Sequence, residues 1–149
     1  MPQRDIKIAR PEDCEEIVRL LVQTSEKSPM PYDVDVIRAN VRSFLTKPLT
    51  ESIILLAETD GKNVGLLVGY AAQGLFSAGL TTQELAWYVE DGYPREALQL
   101  FSLFEEWSRK IGAKYSLTAT HHNISTDSLK RYYSKHGYKE IETHYGKEI

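Results

Sequence analysis

Apolar and polar positions change period several times along the chain, and each change marks an element. Residues 5–10 set Ile6 and Ile8 between polar neighbours, the two-residue period of a short strand. Pro11 suits a first helical turn. Glu12, Asp13, Glu15 and Glu16 complement the positive helix end, and Cys14, Ile17, Val18 and Leu21 supply the apolar stripe. Residues 24–33 read as a loop, because Ser28-Pro29-Met30-Pro31 blocks helix continuation. A second amphipathic helix carries Val34, Ile37, Val41, Phe44 and Leu45 and ends before Pro48. Ser52–Thr59 is a nearly continuous apolar run, the pattern of a central strand. Asp60-Gly61-Lys62-Asn63 signals a hairpin turn, with residues 64–75 as the antiparallel partner. After a turn over 76–80, residues 83–89 form the next strand, and 94–111 the longest helix, closed by Gly112. Residues 114–120 give another strand. Leu129, Tyr132, Tyr133 and His136 then share one helix face, and Gly137 stands where a residue of positive φ ends a helix. Two last short strands are predicted at 138–141 and 143–146.

The resulting order is β-α-α-β-β-β-α-β-α-β-β, without repeats or linkers, in one domain over 1–149. This is an α/β chain with a mixed, mostly antiparallel sheet of about seven strands and helices on both faces. The strand–helix–strand segment 83–120 should be a right-handed crossover between parallel strands.

Composition narrows the partners. A length of 149 residues suffices for one well-formed core. The formal net charge is −3 and no basic block occurs, which argues against nucleic acid as the main partner. The one cysteine, Cys14, cannot form an intramolecular disulfide and suits a reducing compartment. No opening segment reads as a signal peptide and no apolar run spans a bilayer, so a cytoplasmic protein without a membrane partner is expected. His121, His122 and His144 lack the spacing of a ligand set, and adjacent histidines at a strand end point apart; no metal is expected.

Three stretches carry a family resemblance. Ile6-Lys7-Ile8-Ala9-Arg10-Pro11-Glu12-Asp13 is one. Glu84-Leu85-Ala86-Trp87-Tyr88-Val89, leading to Phe104-Glu105-Glu106-Trp107 and Ile111-Gly112-Ala113, is the second. Tyr133-Ser134-Lys135-His136-Gly137-Tyr138 is the third. Together with the element order they resemble the GNAT superfamily of acyl-CoA-dependent N-acetyltransferases over nearly the whole chain, from Ile6 to Ile149. The last stretch is like that family's Tyr-x-Lys-x-Gly-aromatic signature and is the most specific of the three.

The resemblance implies acetyl-CoA as co-substrate, with its pyrophosphate on the amides that open the long helix, where orphan N–H groups and the helix dipole attract anions. The family writes this loop Arg/Gln-x-x-Gly-x-Gly/Ala. Here it is Glu90-Asp91-Gly92-Tyr93-Pro94-Arg95-Glu96-Ala97, with Ala97 at the last position and Arg95 where the first glycine is expected. Arg95, Glu96 and Ala97 are the candidate phosphate residues. Trp87, Tyr88 and Val89 inherit the cofactor strand, an amide near Val89 serving the oxyanion, and Thr126 is a further cofactor candidate or a helix cap.

Acyl transfer from a thioester requires a deprotonated amine, a stabilised oxyanion and a proton for the leaving thiolate. By the motif, Tyr133 is the proton donor; an unperturbed phenol, with a pKa of about 10, is neutral at pH 7. Glu84 on the cofactor strand, or His121 at the end of the next, is the candidate base. Met30 and Tyr32 are candidate walls of the acceptor site, in the loop before the second helix. The reading is thus an N-acetyltransferase acting on a primary amine by direct transfer, in a family whose members often pair as homodimers. The alternative is a GNAT-fold binding or assembly module without catalysis, suggested by the irregular phosphate loop.

Overall fold

The computed structural model describes residues 2–120 and 126–149. The chain divides into two compact units, Met1–Ala119 and Thr120–Ile149.

The first unit is built on one five-stranded sheet in the order β1-β2-β3-β4-β5. The strands are β1 (Arg4–Ile8), β2 (Ser52–Thr59), β3 (Lys62–Gln73), β4 (Leu80–Val89) and β5 (Ala113–Leu117). β1 to β4 pair antiparallel, and β5 runs parallel to β4. Asp60 (φ 52°) and Gly61 (φ 78°) make the tight β2–β3 turn that the sequence signals, both in the left-handed region such a turn requires.

Helices α1 (Cys14–Glu26) and α2 (Val34–Thr46) cover one face. Pro11–Asp13 forms a single 3₁₀ turn before α1, and Asp33 caps α2 by accepting from the Asp35 and Val36 amides. Ile17, Val18, Leu20 and Val41 close over Ile54, Leu56, Leu66 and Val68. Helix α3 (Pro94–Lys110) covers the other face. There Trp87 stacks on Phe101 with ring centroids 4.9 Å apart, and Phe104 and Trp107 continue the row. A Cβ at Gly69 would lie 2.7 Å from Phe104, so glycine is what lets the sheet approach this ring.

The second unit contains α4 (Thr126–Lys135) and the tail after it. Gly137 (φ 83°) ends the helix in a Schellman motif: Tyr138 N–H donates to Tyr133 O at 2.9 Å and Gly137 N–H to Ser134 O at 3.2 Å.

The strand count departs from the expected seven. Residues 138–149 form no strand, and both predicted terminal strands are absent. Charged Lys139, Glu140, Glu142, Lys147 and Glu148 interrupt any apolar face, and Ile141 and Tyr145 are exposed, so ordering this segment buries little.

Candidate active site

β4 and β5 separate part-way along their length. Their pairing runs from Leu80↔Ala113 to Gln83↔Leu117 and stops, whereas β4 continues to Val89. The divergence coincides with a bulge. Gly69 lies opposite Glu84 and Val68 opposite Ala86, so Leu85 is the extra residue of β4. A bulge shifts the two-residue phase. Thr82 faces α3 before it, bonding Ser108 at 2.7 Å, and Trp87 faces α3 after it. Ala86 and Tyr88 consequently turn to the α1–α2 side.

The same alternation governs the backbone. Glu90 N–H donates to Val64 O on β3 at 2.8 Å. Successive residues of a strand send their amides to opposite edges, so Val89 directs its N–H away from β3, toward the edge that β5 covers only as far as Gln83. An edge of this kind accepts an extended ligand by main-chain pairing and can aim an N–H at a developing oxyanion.

Glu84 stands at the foot of the divergence. It is buried at 3% exposure, and Thr118 Oγ1, just past β5, donates to its Oε2 at 3.3 Å. The sequence pointed to Glu84 but not to Thr118, or to the bulge, whose one trace is the break in alternation at Leu85-Ala86. Trp87 presents its indole to the α3 core, so what it offers on the β4 edge is backbone. Tyr88 carries the Lys27 ammonium 5.1 Å above its ring centroid.

The loop into α3 divides the three expected phosphate residues. Arg95 is exposed at the first turn. The Glu96 carboxylate is instead buried at 2% exposure, with Arg4 Nε 2.6 Å from Oε1 and Thr59 Oγ1 3.3 Å from the same oxygen. That side chain ties β1 and β2 to α3 and leaves only a backbone amide to face an anion. The Ala97 amide already donates to Tyr93 O at 3.2 Å. Gly92 (φ 95°) sits in open space, giving the loop a left-handed turn just before Pro94.

In the second unit Tyr133 is buried, and its ring lies 5.7 Å from that of Tyr138, the contact that accompanies a Schellman cap. The Tyr132 ring lies tilted against that of His136, with centroids 4.1 Å apart. Thr126 opens α4. His121, with neighbouring His122 and Asn123, lies outside the described residues. Met30 and Tyr32 are exposed in the α1–α2 connection, as are Leu75 and Phe76 in the β3–β4 turn. Among the described residues, no three His, Cys, Asp or Glu side chains gather as a metal would require, and no helix is long and apolar enough to cross a membrane. Of two clefts on the first unit, the one between the 3₁₀ turn and α2 involves none of these residues, and the one between β1 and α3 is lined by Arg4 alone among them.

The chain has the fold of solved acetyltransferases. An aminoglycoside N-acetyltransferase, AAC(6')-Iy in complex with CoA, superposes with a TM-score of 0.79 at 15% identity over 100% of this chain and 96% of that one. A possible acetyltransferase from Clostridium difficile 630 gives 0.75 at 17% identity, covering 98% and 97% of the two chains. A ribosomal-protein-alanine N-acetyltransferase from Brucella melitensis biovar Abortus 2308 gives 0.74 at 15% identity, covering 98% and 99%. No family model and no curated relative matches the sequence.

Proposed function

We propose that this protein is an N-acetyltransferase that moves an acetyl group from acetyl-CoA to a primary amine by direct transfer. The observation that carries the reading is the β4 edge beyond Gln83, with the Val89 N–H turned to it and Glu84 buried at its foot. The pantetheine arm pairs along this edge like an added strand, and its diphosphate lies at the opening of α3. Arg95 supplies a planar cation there, and the first-turn amides supply donors. The AAC(6')-Iy neighbour, described in complex with CoA, supports the same donor.

In this reading the Val89 amide stabilises the tetrahedral oxyanion, and Glu84, held by Thr118, takes the proton that the acceptor amine must lose. Tyr133 gives a proton to the departing thiolate, and His121 is the second candidate base. Thr126 is a further cofactor candidate, and Met30 and Tyr32 line the acceptor side.

Calorimetry with CoA and acetyl-CoA, joined to an assay of acetyl-CoA consumption over amine and peptide panels, tests this. Micromolar binding and turnover of at least one amine are expected. Absence of heat at about millimolar ligand would leave the fold as a non-catalytic binding module. Tyr133→Phe keeps the ring and the backbone cap and should lower kcat by about 100-fold; an unchanged kcat removes Tyr133 from the chemistry.

A further inference from the structure

The α1–α2 side of β4 presents an amine of the protein's own. Lys27 follows the last turn of α1, its backbone N–H bonded to Thr24 O at 3.2 Å. Its Nζ lies 5.1 Å above the centroid of the Tyr88 ring. Tyr88 immediately precedes Val89, whose amide points to the β4 edge, so the ring that carries the ammonium belongs to the residue next to that amide. We infer that Lys27 is an intramolecular acetyl acceptor, so that the protein modifies itself at this residue. The inference rests on the transferase reading above and adds to it a specific substrate amine.

The aromatic contact separates Lys27 from three lysines that are held in ion pairs. Lys62 also stands near this end of β4, but its ammonium is held 3.0 Å from Glu90 Oε1. Lys7 is paired to Asp13 at 3.1 Å and Lys110 to Glu106 at 3.1 Å. Among the described residues Lys27 makes no ion pair, and its partner is the face of an aromatic ring. Such a contact contributes only about 0.5–1 kcal/mol at an exposed site, enough to orient the side chain. The flexible four-carbon stem lets Nζ move from ring to edge without disturbing α1.

The reaction balances without a further reactant. The ammonium loses a proton to water, and the neutral Nζ attacks the thioester carbonyl. An N–C bond forms as the C–S bond breaks, the second proton leaves the nitrogen, and the departing CoA thiolate takes up one proton. The product is N-acetyl-lysine, uncharged over the Tyr88 ring.

The test incubates the full-length protein with acetyl-CoA and maps acetylation by peptide mass spectrometry over time and over a range of protein dilutions. Lys27 should be acetylated at least about tenfold faster than Lys110 or Lys47, at a rate per molecule that dilution does not change, as held groups require. Lys27→Arg, at an exposed position that keeps the cation, should abolish the fast phase. If CoA binds and a small amine is acetylated but Lys27 reacts no faster than Lys110, or reacts faster only as concentration rises, the inference is overturned and the transferase reading stands. If CoA does not bind, both fail together.

Discussion

Arg4 Nε lies 2.6 Å from Glu96 Oε1, so the first strand of the sheet is fastened to the first turn of α3 by a largely buried ion pair. The pairing places a carboxylate beside the positive end of a helix, and Thr59 supplies a further donor to it. It also separates neighbours in sequence: Glu96 holds the helix opening in place, while Arg95 beside it remains exposed.

The two side chains should therefore fail in different ways. Glu96→Ala leaves the Arg4 guanidinium without its counter-charge and should lower unfolding free energy by about 2–3 kcal/mol in urea titrations. Arg95→Ala should stay within about 0.5 kcal/mol of the parent and weaken CoA binding about fivefold. Equal CoA affinity in the two proteins would take Arg95 out of the phosphate site.

Glu84→Gln is nearly isosteric and keeps an acceptor for the Thr118 hydroxyl. It should lower kcat by about 100-fold, with CoA affinity unchanged. A variant that retains the parent's kcat points to a different base, with His121 next in line.

Gly65 offers a probe of the edge itself. A Cβ there would lie 2.8 Å from Val89 Cγ2 and 2.9 Å from the Tyr88 carbonyl oxygen, so Gly65→Ala pushes the end of β4 outward. The expected destabilisation is about 1–3 kcal/mol, accompanied by weaker CoA binding, because the displaced segment carries the Val89 amide. Thermal unfolding and calorimetry on the same preparation separate the two effects; loss of stability with intact CoA affinity would show that the ligand does not use this segment.

Asp13 gives the fold an acid-sensitive point. Burial alone would raise its carboxyl, but the Arg10 amide at 2.8 Å and the Lys7 ammonium at 3.1 Å outweigh that and bring it below the ordinary value of 3.8. A depressed carboxyl contributes stability above its unfolded value and loses it as pH falls through the folded one. Asp13→Asn should thus destabilise at about pH 7 and differ progressively less from the parent below about pH 3.8. Urea unfolding across that range checks the convergence, and a gap that stays constant would assign the loss to packing.

The elements that read most clearly from the chain are those whose signal is local. Ser52–Thr59 is an apolar run that sits between two neighbouring strands, and the Asp60-Gly61 turn needs only its own backbone preferences. Gly137 behaves likewise, since a helix end asks for positive φ wherever it lies. The terminal segment misled because the short alternation of Tyr138 and Ile141 has the right period but, among so many charges, too little apolar surface to repay its ordering.

Glu84, Val89 and the loop into α3 were singled out by the family resemblance alone. Whether Glu96 faces a ligand or Arg4, residues 92 positions apart, is a long-range matter that no local pattern encodes. The sequence by itself determined which stretches form the strands of the sheet and the helices over it, and which of their faces are apolar, because those follow from short-range sterics and hydrophobic period. Only the tertiary structure decided that β5 leaves β4 at Gln83, that a bulge at Leu85 turns Trp87 into the core, and that Lys27 reaches Tyr88. These depend on register and packing between segments distant along the chain, where one residue of slip exchanges the two faces of a strand.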